Sequence, residues 1–247
     1  MPRFFIDASD VYRDGDVCLI RIAGDDAHHI THVLRTRIGE ELIACDNTGK
    51  VYRTELAEAG AEVVLKVLEE SAADTEPPYI ATVYQALVKG DKMETVIQKA
   101  VETGASVIVP MVTSRAVVKL DEKDARKKTE RWQKIAHEAA KQCGRGIIPK
   151  VEMPILFAEA MRQAAEADLP LFCYEGAGTE PLPGIFRTHE SPRTIALCIG
   201  PEGGYSEAEA EMAADAGMCM CGLGKRILRT ETAAVFVLSC LSAAYEL

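Results

Sequence analysis

The stretch Thr194-Ile195-Ala196-Leu197-Cys198-Ile199-Gly200-Pro201-Glu202-Gly203-Gly204-Tyr205-Ser206-Glu207-Ala208-Glu209 decides the fold. Thr194 to Ile199 is a strand-like run. Three glycines in five positions then leave bare backbone N–H and C=O groups at the strand's carboxyl end. A helix from Ser206 to Ala216 follows, with Glu207 and Glu209 in its first turn. Strand, loop and helix in this order build a parallel sheet, whose ligands sit outside the carboxyl ends of the strands. The loop is neither a Walker loop nor the glycine fingerprint of dinucleotide folds. Alone, it reads either as a ligand cradle or as a tight glycine turn.

Working outward, the same alternation begins after Pro78. Strands are expected at Tyr79 to Val88, Ser106 to Met111, Leu169 to Tyr174 and Met218 to Cys221. Helices are expected at Lys92 to Thr103 (ended by Gly104), Glu122 to Gln142, Phe157 to Ala167 and Thr230 to Tyr245. This is an α/β pattern with the sheet covered on both faces. Residues 1–70 read differently, as a small β-rich domain. Its strands are Asp16 to Ile22, Glu41 to Cys45, Val51 to Leu56 and Val63 to Leu68, with a hairpin turn at Asp46-Asn47-Thr48-Gly49. A short helix, Asp25 to Leu34, starts on an acidic cap. Residues 71–78, with the Pro77-Pro78 pair, form the linker, and 79–247 the second domain.

A second loop joins a strand to a helix: Leu223-Gly224-Lys225-Arg226-Ile227-Leu228-Arg229-Thr230-Glu231-Thr232. Thr230 is the expected N-cap, and Arg229 beside Glu231 invites an internal pair. The following helix is apolar nearly all round, so it must be buried on every side, and a second subunit often supplies part of such a cover.

Composition narrows the class. Hydrophobic residues make up 48% and charged residues 27%, enough for a sizeable core without staples. Neither a signal peptide nor a membrane span is legible, so a cytoplasmic protein is expected. The eight cysteines are scattered without a C-x-x-C pair, which argues against zinc and disulfides. His28 and His32 share a helix face at metal-ligand spacing, with no third ligand beyond Asp25, and no metal is assigned. The net charge of −10 is unpromising for a nucleic-acid protein, but its distribution is uneven. From Thr113 to Lys150 eleven basic residues, Lys119 among them, outweigh five acids, a local +6 against −16 elsewhere. That region either steers RNA to one face or is a solvated helix surface.

These segments carry a resemblance. I-G-P-E-G-G-Y-S-E-x-E, followed by L-G-K-R-I-L-R-T-E-T-A, is similar to the RsmE family of ribosomal RNA uracil-N3 methyltransferases in the SpoU–TrmD superfamily. His28-His29 with Val33-Leu34-Arg35 resembles its N-terminal motif. Lys89-Gly90-Asp91-Lys92 with Ile97-Gln98-Lys99, and Glu130-Arg131-Trp132 through Gln142-Cys143-Gly144-Arg145, resemble two further segments. The similarity spans nearly the whole chain.

The resemblance implies a C-terminal α/β domain with a deep trefoil knot, an N-terminal PUA-like β-barrel that helps bind RNA, and a homodimer. It implies S-adenosylmethionine held by backbone groups of three loops. The matching positions are Ile199, Gly200, Pro201, Gly203 and Gly204 in the first. Leu223, Gly224, Ile227, Leu228, Thr230, Glu231 and Thr232 match the second. Tyr174, Glu175 and Gly176 form the third, where this chain lacks the family's Pro-Glu pair. The motifs suggest RNA contacts at Arg3, Arg35, Arg115, Lys141, Gln142 and Arg145. The implied reaction is methylation of N3 of a uridine in 16S ribosomal RNA, near the decoding region. Alternatives are a related knotted methyltransferase with another target and a non-catalytic RNA-binding assembly factor.

Uracil N3 bears a proton at neutral pH, so its attack needs a base or stabilisation of the growing negative charge. Glu202 and Glu231 are the carboxylate candidates, and Arg229 is the candidate for stabilising the uracil oxygens. Glu231 reads equally well as a partner for a cation or as part of a helix cap.

Overall fold

The computed structural model describes residues 1–116 and 121–247, so Lys119 lies outside the described residues. The chain divides into two compact units: Met1–Glu76 with Ala140–Ile148, and Pro77–Ala139 with Pro149–Leu247.

The first unit is built on β1 (Arg3–Phe5), β2 (Val11–Asp14), β3 (Val17–Ile22), β4 (Glu41–Cys45), β5 (Lys50–Ala59) and β6 (Val63–Ala72). They form one mixed sheet in the order β1-β4-β5-β6-β3-β2, with β1 parallel to β4 and the other pairs antiparallel. In β5, Tyr52, Thr54 and Leu56 alternate inward, the period of a strand with one buried face. Tyr52 and Leu56 pack with Ile20, Leu42 and Leu65 into a single core. The β4–β5 turn closes because the Asp46 carboxylate accepts from Thr48 N, Thr48 Oγ1 and Lys50 N at 2.8–3.1 Å. Asn47 and Gly49 supply its positive φ angles of 60° and 101°.

The short helix expected from Asp25 to Leu34 is present as two joined pieces. It is α1 (Gly24–His28), continued by a wider turn over His29–Val33. Its N-cap is Ala23, without a side-chain bond, so the acidic cap is not formed. Asp25 and Asp26 lie instead inside the first turn, where the helix dipole favours negative charge. The His28 and His32 rings stack at 4.5 Å.

The second unit alternates strand and helix. Its elements are β7 (Ile80–Ala86), α2 (Lys92–Glu102), β8 (Val107–Val112), α3 (Glu122–Cys143), β9 (Lys150–Val151), β10 (Ile155–Leu156) and α4 (Phe157–Ala164). They continue as β11 (Leu169–Cys173), β12 (Glu180–Pro181), α5 (Leu182–Thr188), β13 (Thr194–Ile199), α6 (Glu207–Asp215), β14 (Cys219–Gly222) and α7 (Thr230–Tyr245). The residues of α3 from Ala140 belong to the first unit. The sheet runs β10-β8-β7-β13-β11-β14-β12, with β9 on β8, and every described pair is parallel. All these strands therefore end on one side, where their loops collect.

Helices cover the sheet by their apolar stripes. In α2, Met93, Val96, Ile97, Ala100 and Val101 are buried, the spacing of one helical face. Gly104, at φ 96°, ends that helix, as expected. α7 buries Ala233, Ala234, Val237, Leu238 and Leu241. It is not buried on every side, because Phe236 is 38% exposed. No helix among the described residues is long and apolar enough to cross a membrane.

Candidate functional site

The loops following β11, β13 and β14 surround one cavity of about 710 Å³. Tyr174 and Glu175 contribute from the first loop; Ile199, Gly200, Pro201, Glu202 and Gly204 contribute from the second. Leu223, Gly224, Ile227, Leu228, Arg229, Thr230 and Glu231 contribute from the third. The structure thus brings together three loops, the second and third separated in sequence by α6 and β14. Gly176, Gly203 and Thr232 do not line the cavity.

The glycine loop is shaped by close approach. A Cβ on Gly200 would lie 3.2 Å from the Tyr205 ring, which stacks on Phe172 at 4.2 Å between centroids. Gly204, at φ 66°, adopts a conformation that side chains rarely tolerate. Ser206 then caps α6 reciprocally with Glu209: the Glu209 amide donates to Ser206 Oγ, and Ser206 N and Oγ donate to Glu209 Oε2. The Ser114 amide donates to Glu209 Oε1 at 2.7 Å. Burial alone would raise the Glu209 carboxyl, but these hydrogen bonds outweigh it and hold the group below its ordinary range. Arg115 Nη1 also donates to the Gly203 carbonyl at 2.9 Å. The loop after β8 thus fastens the glycine loop from one side.

On the other side stands Thr230. It is not the N-cap of α7; Arg229 holds that position, without a side-chain cap bond. Thr230 is the first helical residue, and its hydroxyl donates to the Gly200 carbonyl at 2.7 Å. It accepts from Gln85 Nε2 at 2.9 Å.

The three candidate catalytic residues differ in their surroundings. Glu202 Oε1 lies 2.9 Å from Lys92 Nζ. Burial pushes the Glu202 carboxyl up, but hydrogen bonding and charge from Lys92, with help from backbone amides, bring it below its ordinary value. Arg229 is exposed at the cavity wall. The pair with Glu231 is not formed, and Arg229 has no ion pair among the described residues. Glu231 also lines the cavity, and its Oε2 is buried without a hydrogen-bond partner. A carboxylate oxygen in that state is costly unless a ligand or water satisfies it.

The residues suggested for RNA are not gathered in one way. Arg35, Arg115 and Gln142 are exposed. Arg3 Nη1 donates to the Arg145 carbonyl at 3.1 Å. Lys141 Nζ lies 3.0 Å from Asp26 Oδ1. Arg145 is 4% exposed and its guanidinium lies 2.6 Å from Glu76 Oε2. These three side chains bind within the first unit. On α3 the exposed Lys123, Lys127, Lys128 and Lys134 form no ion pair among the described residues, whereas Arg126 and Arg131 are paired with Glu122 and Glu94.

Sequence reasoning missed several cavity residues. Cys173, Thr179 and Tyr205 flank the expected positions, and Lys225 and Arg226 lay inside the loop already singled out. Lys92 was visible only as part of a motif. Gln85 carried no signal beyond a polar residue in an apolar strand.

The chain resembles known proteins over its whole length. Residues 75–242 match the family described as RNA methyltransferase domain, and residues 22–68 match RNA methyltransferase PUA domain. The chain is 37% identical to ribosomal RNA small subunit methyltransferase E of Bacillus subtilis (strain 168), over 100% of this chain and 98% of the relative. It superimposes with a TM-score of 0.86 on a ribosomal RNA small subunit methyltransferase E from Neisseria gonorrhoeae bound to S-adenosyl methionine. That match is 30% identical and covers 99% of this chain and 98% of the other. A structure from Legionella pneumophila in complex with the bound cofactor SAM matches at a TM-score of 0.84 and 32% identity, over 98% and 97% of the two chains.

Proposed function

The chain belongs to the ribosomal RNA small subunit methyltransferase E family, and on that premise we propose that it methylates N3 of a specific uridine in 16S ribosomal RNA, near the decoding region, with S-adenosylmethionine as donor. The carrying observation is the convergence of the loops after β11, β13 and β14 on one cavity, four of whose lining residues, Gly200, Gly204, Gly222 and Gly224, are glycines. Its volume of about 710 Å³ falls within the range for small-molecule and cofactor sites. The residues present fit the cofactor: glycine backbone for close contact, apolar Ile199, Leu223 and Leu228, and the unsatisfied Glu231 carboxylate for a cationic ligand. The trefoil knot implied by the resemblance belongs to the same reading.

When bound, S-adenosylmethionine supplies an electrophilic methyl group on a sulfonium. The protein's task is then to place the uracil edge and to accommodate the charge left by its N3 proton. Arg229 is the group for the second task, since it is a cation at the cavity wall that forms no ion pair among the described residues. Glu202 is poorly suited as a base, because Lys92 stabilises its ionised form. Glu231 holds the cofactor in this reading.

RNA phosphates meet exposed cations that form no ion pair among the described residues, Arg35 in the first unit and Lys123, Lys127, Lys128 and Lys134 on α3, with Arg115 (which also holds the Gly203 carbonyl) and the neutral Gln142 as further contacts. Arg3, Lys141 and Arg145 shape the first unit rather than the RNA interface. A homodimer covers the exposed face of α7 around Phe236, and the protein works in the cytoplasm, where ribosomal subunits are made. A non-catalytic assembly factor would not need this cavity, and calorimetry showing no binding of S-adenosylmethionine would favour it.

The deciding experiment is mass spectrometry of small-subunit ribosomal RNA from cells lacking the protein. Loss of N3-methyluridine, restored by the wild-type gene, is expected. Retention of that nucleoside would overturn the assignment.

A further inference from the structure

Gln85 is wholly buried near the carboxyl end of β7, in register with Ile199 of β13. Its Nε2 donates to Thr230 Oγ1 at 2.9 Å and to the Ala86 carbonyl at 3.1 Å. The Thr230 hydroxyl has one proton, and this points at the Gly200 carbonyl, 2.7 Å away. The direction of the chain is therefore set: amide to hydroxyl to carbonyl. Gln85 Oε1 is left without a partner, a cost that an apolar side chain of similar size would avoid. The other end of the amide bonds the residue that bridges both major loops. Gln85 itself does not line the cavity, whereas Gly200 and Thr230 do.

We propose that Gln85 is a positioning residue: it fixes the Thr230 hydroxyl on the Gly200 carbonyl and thereby sets the spacing of the two loops that hold the cofactor. The inference rests on the reading of this cavity as the S-adenosylmethionine site. A parallel strand in the middle of the sheet is a rigid reference, and the amide transfers its position to the hydroxyl that joins the two loops.

The discriminating substitution is Gln85→Glu. An ionised carboxylate has no proton to donate, so it draws the Thr230 hydroxyl toward itself and away from Gly200. Burial raises the pKa of such a carboxyl, and its protonated form restores the donor. Binding of S-adenosylmethionine to the full-length chain is measured by calorimetry for wild type, Gln85→Glu, Gln85→Leu, Thr230→Val and the Gln85→Leu/Thr230→Val double variant, with thermal unfolding alongside.

Gln85→Leu is expected to weaken binding about tenfold, the worth of one buried hydrogen bond. Its KM for the cofactor should rise while kcat at saturation changes less. The double variant should bind no more weakly than Thr230→Val. Gln85→Glu should bind like wild type at acid pH and progressively less well as pH rises, relative to wild type at each pH. Wild-type affinity in folded Gln85→Leu, or a Gln85→Glu profile parallel to wild type, overturns the inference alone. Should Gln85→Leu fail to fold, the Gln85→Glu profile decides. A wild-type chain that does not bind S-adenosylmethionine overturns the cofactor reading, and this inference with it.

Discussion

Lys92 Nζ lies 2.9 Å from Glu202 Oε1, so the first turn of α2 is tied to the glycine loop by a charge-assisted hydrogen bond. The pair decides what Glu202 can do. A carboxylate held below its ordinary range takes up a proton weakly. Glu202→Gln is therefore expected to lower single-turnover methyl transfer by less than about tenfold, whereas a general base contributes roughly a hundred- to ten-thousand-fold. A hundredfold loss with unchanged cofactor affinity would restore Glu202 as the base.

Arg229 carries the opposite expectation. Arg229→Ala should reduce turnover on ribosomal subunits by about a hundred- to a thousandfold, the worth of one preorganised donor to a developing oxyanion. Calorimetric affinity for S-adenosylmethionine should stay within a fewfold. Near-normal turnover with intact cofactor binding would refute its role.

The Glu209 cap predicts a dependence on acid. Its folded pKa lies below the ordinary value of 4.5, because hydrogen bonds from Ser114 and Ser206 outweigh burial. The stabilisation is fully present above the ordinary value and is lost as pH falls through the lower folded value. Thermal unfolding from neutral pH downward should show wild type losing its advantage over Glu209→Gln in that range. A constant gap between the two curves would contradict the account.

Cations on α3 and in the first unit should separate cleanly. Removing Lys127 or Lys134 should weaken RNA binding and flatten the log–log salt slope by about 0.7 to 0.9 for each phosphate that the variant no longer neutralises. Arg145→Ala should instead lower stability by about 3 kcal/mol, because it leaves the half-paired Glu76 carboxylate, whose Oε1 alone still accepts from Gly146 N and Ile147 N, without its guanidinium. Equilibrium unfolding and filter binding at several salt concentrations distinguish the two effects. An unchanged salt slope in the lysine variants would remove α3 from the RNA path.

The fold was legible where one physical signal dominated. The bounds of β13 and α7 follow from apolar runs flanked by glycine or charge, and the Asp46–Gly49 turn from residues that close it on themselves. α5 was not legible, since Pro183 and Gly184 lie inside it and both disfavour helix. Much of the cavity wall could be read because glycine-rich and charged loops between buried elements are unusual. Gln85 could not, because its role depends on a partner 145 positions away. Arg145 shows the converse: a motif identifies a residue but not the Glu76 carboxylate that occupies it.

The brace of Gln85, Thr230 and Gly200 also orders events during synthesis. A nascent chain that has emerged only as far as α6 already carries the glycine loop, yet it lacks the hydroxyl that fixes the loop from the other side. The cavity therefore stays incomplete until α7 has emerged. Messages truncated between α6 and α7 would yield a product that competes for neither donor nor substrate through this cavity.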